Sequence, residues 1–282
     1  MKNLKGYFLL FLFCVNFVIW YAILKEEKDL LTVAFLDVGQ GDSIFIEAPN
    51  GKQILIDGGS NQAVLRQLSK VIPFYDRSID LVVLTHPDAD HIGGLPSVLD
   101  NYDVDYVLES GVNSDSEVYS EFEKDIQEKN IKKVLARQGQ VINLDKDLDL
   151  YVLFPISDVS GFETNTASVV LKLIYKEKSF LFTGDLPESV ESYLAKSFGK
   201  QLDVDVFKLG HHGSKTSNSE LFLGFVSPEY AIASVGKDNR YGHPHKEVLD
   251  LLDGFGIDLF RTDEDGTVIF ESNGTNLLVG SE

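Results

Sequence analysis

The segment THPDADHIGG, residues 85–94, gathers two imidazole and two carboxylate groups within a few positions. It directly follows the apolar run LVVL at 81–84. Imidazole nitrogens and carboxylate oxygens are the donors that zinc and manganese take in proteins. An apolar strand would hold the loop rigidly, with His86, Asp88 and Asp90 pointing the same way, and the two glycines would let a following helix approach closely. The spacing therefore predicts a site for two divalent cations at the end of a strand, rather than a solvated turn.

Two later loops offer groups that could complete this site, because each follows an apolar strand that would support it. Asp185 ends the run FLFTGD, where a carboxylate could bridge two metal ions or cap the next helix. His211 and His212 follow the run VFKL. Adjacent side chains diverge on an extended strand, so we expect one ring to bind metal and the other to face substrate or contact a metal ligand.

A third loop, YGHPH at 241–245, carries two further histidines, His243 and His245. Histidine titrates near neutral pH, binds metals and exchanges protons, so both rings could contact substrate. Packing within the loop is an equally simple explanation for them. The pattern leaves both alternatives open.

The composition limits what such a site could act on. The chain has 282 residues, of which 44% are hydrophobic and 24% charged, as in ordinary globular proteins. Its formal net charge of −19 argues against binding nucleic acid by bulk attraction, although local basic groups or metal ions could still hold a phosphate. The single cysteine, Cys14, lies in an N-terminal hydrophobic segment, which excludes an intramolecular disulfide and leaves His, Asp, Glu or Asn as metal ligands in the rest of the chain.

Residues 7–24 carry no charged side chain and reach the lower end of the length that spans a bilayer as a helix. No small-residue cleavage pattern follows, and Phe13 spoils a lipoprotein-type site before Cys14. We therefore predict a short segment at 1–6, an uncleaved transmembrane anchor at 7–24, a linker at 25–30 and a main domain at 31–282. A cleaved secretory signal is the alternative. Basic residues before the span favour an extracytoplasmic main domain, although the lysines just after it weaken that bias.

Apolar runs separated by turn residues predict the elements that position these loops. Runs at 31–36, 43–48 and 53–56, with GQGD and PNGK between them, are typical of an antiparallel meander. Further strands are predicted at 80–84, 104–108, 148–154, 167–175, 179–183, 204–209, 230–234, 257–260 and 267–270. Helices are predicted at 61–72, 92–99, 116–130, 187–198, near 220 and at 245–252. Since each sheet must bury an apolar face, we expect two packed sheets with helices outside.

Taken in order, the motifs resemble those of the metallo-β-lactamase fold superfamily, in particular the metallohydrolase domain of DNA-internalisation competence proteins of ComEC type. The resemblance covers about residues 31–272 and is carried by FLDVGQGDS (35–43), LIDGG (55–59), the loop at 85–94, TGD (183–185), HHGS (211–214) and GHPH (242–245). It implies an α/β (α+β) fold, the four-layer αβ/βα sandwich, here preceded by one hydrophobic N-terminal helix.

The resemblance also implies a dinuclear metal site. It assigns His86 and Asp88 to one metal, Asp90, His91 and one ring of the His211/His212 pair to the other, and Asp185 between them. Asp88 stands where the wider superfamily has a histidine, as it does in the competence branch. Because carboxylates make the site harder than an all-imidazole one, manganese competes with zinc for it.

Three other residues have less certain roles by the same analogy. Asn165 stands where the superfamily supplies another histidine, so it could bind metal or contact a ligand. Asp37 and Asp57 are expected to brace the metal loop rather than to bind metal, because buried carboxylates at such turns accept backbone N–H bonds.

Two cations roughly 3.5–4 Å apart would lower the pKa of a bridging water and hold hydroxide for attack on phosphorus or a carbonyl carbon. The predicted catalytic residues are Asp90, His211, His212 and His243, of which an unliganded histidine would stabilise the transition state or protonate the leaving oxygen. The predicted substrate-binding residues are Lys208, Lys215, Arg240 and His245, with ordinary surface positions as the alternative for the basic ones.

These features favour a membrane-anchored, metal-dependent phosphodiesterase, a nuclease acting on DNA during uptake. A single hydrophobic segment cannot form a channel, so uptake would need a separate channel protein. One alternative keeps the site but changes the substrate to a small phosphodiester such as choline phosphate, a lactone or a thioester. The other is a metal-stabilised binding module without turnover.

Overall fold

The computed structural model describes residues 2–24 and 30–281, with side chains described for 5–21 and 30–281. A helix, α1 (Lys2–Leu24), covers the hydrophobic N-terminal segment. In these described ranges, no helix combines the length and the apolar character needed to cross a membrane. The transmembrane anchor predicted at 7–24 is therefore not supported by the structure. Residues 25–29 of the predicted linker lie outside the described residues.

The remaining elements follow in chain order. The strands are β1 (Leu31–Phe35), β2 (Ile44–Glu47), β3 (Gln53–Ile56), β4 (Ser78–Leu84), β5 (Asp103–Glu109), β6 (Lys132–Leu135), β7 (Val141–Asp145), β8 (Leu148–Phe154), β9 (Val170–Tyr175), β10 (Lys178–Phe182), β11 (Val206–Lys208), β12 (Tyr230–Ala233), β13 (Asp258–Arg261), β14 (Val268–Ser272) and β15 (Leu277–Ser281). The α-helices after α1 are α2 (Ala63–Val71), α3 (Ala89–Ile92), α4 (Leu95–Asn101), α5 (Glu117–Glu128), α6 (Glu188–Phe198), α7 (Glu220–Val226), α8 (Lys246–Phe255) and α9 (Thr262–Asp265). Short 3-10 helices cover Asn165–Ala167, Gly199–Leu202 and Gly210–Gly213.

The strands form two sheets. The first has the order β15-β14-β1-β2-β3-β4-β5-β6, and the second the order β13-β12-β11-β10-β9-β8-β7. Strands β1, β2 and β3 pair antiparallel, as the predicted meander requires, whereas β3 to β6 run parallel. In the second sheet, β7 to β10 pair antiparallel and β10 to β13 run parallel. The prediction of two sheets is confirmed.

The two sheets pack face to face because their strands are apolar on both sides. In β10, Phe180 and Phe182 point into the core between the sheets, whereas Leu181 points to the outer helices. Alternation of side chains along a strand produces this division. Phe35 of β1 meets Phe182 across the interface, with ring centroids 6.2 Å apart. Helices α2, α4 and α5 cover the first sheet, and α6, α7 and α8 cover the second, so four layers result.

The topology brings the candidate site loops to one edge of the sandwich. Strands β3 and β4 are parallel, and the loops at 57–59 and 85–94 follow their carboxyl ends. Strands β10, β11 and β12 are also parallel, and the loops at 183–185, 211–214 and 235–243 follow theirs. Val169 N donates to Thr85 O at 3.0 Å and so ties the second sheet to the loop after β4. Loops at the carboxyl ends of parallel strands meet at the same edge.

The loop at 85–94 differs from its prediction in one respect. Its second half is helical, because α3 begins at Ala89 and the predicted single helix at 92–99 is divided into α3 and α4. The expectation that His86, Asp88 and Asp90 alternate along an extended chain is therefore wrong. Asp90 and His91 lie on a helical turn, where consecutive side chains point about 100° apart rather than in opposite directions.

The close approach of this loop to the one after β3 depends on Gly94. A Cβ atom at Gly94 would lie 2.2 Å from Gly58 O and 2.7 Å from Asn61 O, both backbone atoms that cannot rotate away. We expect Gly94→Ala to lower the free energy of unfolding by about 1–3 kcal/mol, the range for overpacking. Urea unfolding followed by circular dichroism measures this. The same change at Gly224 in α7, where no atom lies within 4 Å, should raise stability slightly. Equal midpoints for Gly94→Ala and the unaltered chain would contradict the packing argument.

Candidate metal centre

The carboxylate of Asp185 lies at the centre of a group of histidines supplied by two separate loops. Its Oδ1 atom is 3.3 Å from His91 Nε2, and its Oδ2 atom is 3.9 Å from His86 Nε2. The Nε2 atoms of His211 and His212 each lie 3.6 Å from Asp185 Oδ2. Asp185 is almost completely buried. The predicted convergence of Asp185 with the loop at 85–94 is thus present in the structure.

Several buried atoms of this group have no hydrogen bond. His86 Nε2 has no partner, and His91 Nε2 and Asp185 Oδ1 face each other without the geometry of a hydrogen bond. A buried polar atom left unpaired costs about 1–3 kcal/mol. Imidazole nitrogen and carboxylate oxygen are donors that divalent cations take, so the group fits a bound metal ion.

The candidate donors form overlapping sets whose atoms all lie within 4.8 Å of one another. Among the described residues the four sets are His86/His91/Asp185, Asp90/His91/His212, Asp42/Asp57/His91 and Asp42/Asp185/His212. Because His91 belongs to three sets, and His212 and Asp185 to two each, neighbouring donor sets share ligands. The donor set thus offers room for one or two metal ions.

Asp57 orients the histidines of the loop at 85–94. Its Oδ2 atom accepts a hydrogen bond from Thr85 Oγ1 at 2.6 Å and lies 2.8 Å from His91 Nδ1. Since the Thr85 hydroxyl donates to Asp57, its oxygen is left to accept the Nδ1–H of His86, 3.0 Å away. In their neutral forms, both rings would therefore carry the proton on Nδ1 and direct the Nε2 lone pair towards Asp185. Partners of this kind set the tautomer and direction of metal-binding histidines.

His212 is oriented by a buried ion pair that the sequence analysis did not find. Lys208 Nζ lies 2.8 Å from Asp42 Oδ1, and the same oxygen is 3.1 Å from His212 Nδ1. All three side chains are buried. Burial would raise the pKa of Asp42, but the Lys208 ammonium and the His212 ring lower it to about 2. The predicted role of Lys208 in holding substrate is wrong, because its ammonium faces inward. The sequence feature that could have indicated a role for Asp42 is its position at the end of the turn GQGD.

A second buried network holds the loop that carries His211 and His212. Asn218 Oδ1 accepts from Gly210 N at 2.8 Å, and Asn218 Nδ2 donates to Gly210 O at 2.9 Å. Glu191 of α6 in turn accepts hydrogen bonds from the backbone N–H groups of Asn218 and Ser219. These residues fix both ends of a tight turn. No motif in the sequence indicated this role.

His211 and His212 lie in different environments, and the predicted extended backbone at this pair is wrong. The backbone at both is left-handed, with φ of 48° and 55°, so neither lies on an extended strand. His212 is buried and its Nε2 atom lies 3.2 Å from Asp90 Oδ2, whereas the side chain of His211 is 29% exposed. His212 belongs to the close donor sets and His211 does not. A non-glycine left-handed conformation is strained, and such strain is concentrated at functional sites.

The electrostatics of the rings differ in a way that matters for metal binding. Burial and the neighbouring His91 lower the pKa of His86 to about 4, so its ring is neutral at pH 7. Burial would also lower the pKa of His91, but Asp185 and Asp57 raise it well above its usual range. Asp185 and Asp42 likewise raise the pKa of His212 to about 9 against the effect of burial. Metal binding at these rings would displace protons and would weaken as the pH falls.

Three predicted residues belong to none of the close donor sets. Asp88 Oδ2 is 3.8 Å from His86 Nε2, but Asp88 is half exposed and belongs to none of the close donor sets. Asn165 begins a 3-10 turn, and its Oδ1 atom is buried without a partner, so it stays a predicted ligand or ligand contact. Asp37 Oδ1 accepts from Gly39 N at 3.2 Å, within its own turn.

The remaining predicted residues surround the solvent-exposed side of this group of histidines, which we call the open side. The His243 ring lies 5.5 Å from that of His211 and 6.1 Å from that of His212, and burial lowers its pKa to about 4. His245 Nδ1 accepts from Lys215 N at 3.1 Å, so this ring fastens one loop to another. Lys215 and Arg240 are exposed on these loops.

Comparison with known proteins agrees with this geometry. The family model described as the metallo-β-lactamase superfamily matches residues 36–237. The chain belongs to the metallo-β-lactamase superfamily. Solved structures with a similar fold include the metallo-β-lactamase fold protein YhfI from Bacillus subtilis, with a TM-score of 0.57 at 13% identity, covering 87% of this chain and 100% of that one. A metallo hydrolase from the archaeon Ignicoccus hospitalis gives a TM-score of 0.54 at 17% identity, covering 85% and 98%. These likenesses show the fold.

The sequence relatives of this superfamily member are competence proteins. ComE operon protein 3 of Bacillus subtilis (strain 168) is 34% identical over 269 residues, which cover 88% of this chain and 33% of that protein. Competence protein ComA of Neisseria gonorrhoeae is 32% identical over 249 residues, covering 87% and 32%. The chain thus spans about a third of the length of these relatives. The resemblance to competence proteins of ComEC type is confirmed.

The role of Asp57 can be tested by Asp57→Asn. The amide keeps the shape but cannot accept from both Thr85 and His91, so the histidine loses its fixed orientation. We expect the affinity for Mn²⁺ or Zn²⁺ to fall about 10–100-fold, as for other groups that support metal ligands. Competition with a chromophoric chelator measures it. Asp37→Asn, the same change at a carboxylate bonded to a neighbouring backbone N–H, should leave the affinity unchanged. Equal affinities for Asp57→Asn and the unaltered chain would rule out the bracing role.

The buried ion pair is tested by Lys208→Met. Removing the ammonium leaves Asp42 charged and buried, which costs about 3–5 kcal/mol of unfolding free energy. Lys246→Met, which removes the ammonium of an exposed pair with Asp250, should have no measurable effect. The double variant Asp42→Asn/Lys208→Met should recover part of the loss, because no unpaired charge remains. Guanidinium unfolding gives all four values. An unchanged unfolding free energy for Lys208→Met would show that the ion pair is not needed for stability.

Proposed function

We propose that this chain is a dinuclear, metal-dependent phosphodiesterase that cleaves DNA. The observation that carries the proposal is the convergence of buried, unpaired imidazole nitrogens on the carboxylate of Asp185. Such a cluster has little structural benefit without a cation, because its polar atoms are desolvated and unsatisfied. The names of the sequence relatives associate them with competence, and this supports DNA as the substrate.

The residues divide the work of the site as follows. The ligands proposed for the two cations are His86, His91, Asp185, Asp90 and His212, with Asp88 and Asn165 as further candidates. Divalent cations bound there lower the pKa of water and neutralise charge on phosphate oxygens, with zinc and manganese both compatible with the donors. Asp57 and Asp42 fix the orientation of the His91 and His212 rings, so the ligand set is organised before substrate binds.

Two histidines on the open side are proposed to act on substrate directly. His211 is partly exposed with its Nε2 atom 3.6 Å from Asp185 Oδ2, and the His243 ring packs 5.5 Å from it. The low pKa of His243 keeps its ring neutral at pH 7, so it can donate one N–H to a phosphate oxygen without carrying charge. His211 is the ring that solvent and substrate reach, so we assign it the delivery of a proton to the leaving oxygen.

The charge of the chain favours a second candidate, hydrolysis of a small phosphodiester, lactone or thioester. A net charge of −19 repels polyanions at long range. However, Lys215, Lys237 and Arg240 are exposed on the loops that follow β11 and β12, so basic side chains lie on the loops that carry His211, His212 and His243. A module without turnover is disfavoured by the unpaired donors at Asp185.

The cellular role extends this proposal. A role in DNA uptake, with a separate channel protein as partner, is part of the proposal, because sequence relatives are named for competence. An anchor at residues 7–24 and an extracytoplasmic hydrolase domain remain sequence-based predictions.

The proposal is tested with the purified chain, stripped by a chelator and reloaded with Mn²⁺ or Zn²⁺. We expect no hydrolysis after stripping, and recovered cleavage of plasmid and oligonucleotide DNA after reloading. Asp185→Asn should lower kcat/KM more than about 100-fold, beyond the loss seen for groups that only support ligands. Asp250→Asn, the same change on the exposed face of α8, should not alter the rate. Cleavage of small esters alone would favour the second candidate, and equal rates for Asp185→Asn and the unaltered chain would eliminate metal chemistry at this site.

A further inference from the structure

A groove of about 280 Å³ opens beside the candidate metal centre. Its polar lining consists of Gln40, Ser60, Asp90, Asn239, Arg240 and Tyr241. Asp90 belongs to both regions, because its Oδ2 atom lies 3.2 Å from His212 Nε2. A substrate bound at the metal centre would therefore extend into this groove. The volume is near the lower end of small-molecule pockets, roughly 300 Å³, and suits one monomer unit of a polymer better than a duplex.

Two loops form the groove and are fastened to each other. A Cβ atom at Gly236 would lie 2.7 Å from Gln40 N, so the loop after β12 packs directly on the turn after β1. Gln40 Oε1 accepts from Gly236 N at 3.3 Å, whereas Gln40 Nε2 is buried and has no partner. Asn239 Oδ1 accepts from His243 N at 2.9 Å and stiffens the same loop. These contacts hold the two walls of the groove against each other.

The outer wall combines an aromatic ring with a cation. Tyr241 is half exposed, and its ring lies nearly parallel to that of His243, with centroids 5.7 Å apart. The Arg240 guanidinium carbon lies 5.0 Å from the Tyr241 ring centroid, and Arg240 Nη2 donates to Tyr241 Oη at 2.9 Å. Within the described part of the chain, Arg240 forms no ion pair with a carboxylate. A planar cation without a counter-charge is suited to phosphate, and an exposed ring to a nucleobase.

We propose that this groove binds the nucleotide next to the scissile phosphate of single-stranded DNA, with Tyr241 stacking on the base and Arg240 pairing with its phosphate. This inference rests on the proposed phosphodiesterase function and adds a substrate class to it. The base must be unstacked to reach the ring, which selects a single strand or a frayed end over a closed duplex. Stacking also lets an acidic protein bind a polyanion without a broad basic surface.

The experiment compares kcat/KM for a single-stranded oligonucleotide with kcat/KM for methyl nitrophenyl phosphate, which has no nucleobase. We expect Tyr241→Ala to lower the ratio of the two about tenfold, the size of one lost base stack, and Tyr241→Phe to retain most of it. Tyr75→Ala is the matched control, since Tyr75 is also exposed but lies before β4, at the opposite end of that strand from the site.

A second measurement does not depend on turnover. Fluorescence anisotropy of a labelled oligonucleotide with the chelator-treated protein should show weaker binding for Tyr241→Ala, and Arg240→Gln should flatten the salt dependence by about 0.7 in log–log slope, the value for one phosphate of a single strand. If DNA is cleaved but Tyr241→Ala leaves the ratio and the binding unchanged, the groove assignment is wrong and the phosphodiesterase stands. Tighter binding of duplex than of single strand also overturns it. If no phosphodiester is cleaved, the proposed function fails, and the groove assignment then depends on the binding measurement alone. Weaker oligonucleotide binding by Tyr241→Ala would support the groove, and unchanged binding would overturn it.

Discussion

The structure depends on one electrostatic constraint, the buried carboxylate of Asp185 held among four imidazole rings. A carboxylate this deeply buried needs a compensating positive charge, because desolvation of an ion costs several kcal/mol. Burial would raise its pKa, but His212 and His91 hold the pKa of Asp185 well below its usual range. In the absence of a cation, protons on His91 and His212 supply the charge; a metal ion would supply it in their place. The same arrangement therefore explains why the rings are gathered and why metal binding and protonation compete.

The groups behind the ligands are as fully buried as the ligands themselves. Asp57 is paired with His91, and Asp42 with Lys208 and His212, so each buried charge has an opposite charge beside it. Such pairs are poor contributors to stability compared with apolar packing, but they hold one geometry when all partners are satisfied. The rigid core of phenylalanine side chains between the two sheets carries the strands whose ends bear these residues. The direction in which the donor atoms point therefore follows from the packing of this core, which lies far from the site.

The acidic surface and the proposed DNA substrate are compatible once the site is considered locally. A net charge of −19 gives no long-range attraction for a polyanion. The groove beside Asp90 instead offers an aromatic ring and one guanidinium, which would bind through direct contact rather than through bulk charge. Cations at the centre would add positive charge at the scissile phosphate itself. Recognition would then be confined to the few nucleotides that reach the groove, and the rest of the surface would repel nucleic acid.

Local signals in the sequence determined the loops and the strands that carry them, because apolar runs and turn residues act over a few positions. The loop at 85–94, Asp185 and the histidine pair were all found in this way, and so was the two-sheet architecture.

Three features were decided only by tertiary structure. Lys208 is one more basic residue near a loop in the sequence, yet it is buried against Asp42. His212, and not His211, belongs to the close donor sets. Gln40, Arg240 and Tyr241 meet in one groove. Each depends on contacts between loops that are distant in sequence or on a left-handed backbone turn, and neither leaves a periodic pattern in the chain. Packing of the two sheets at a common edge is the physical event that brings those loops together.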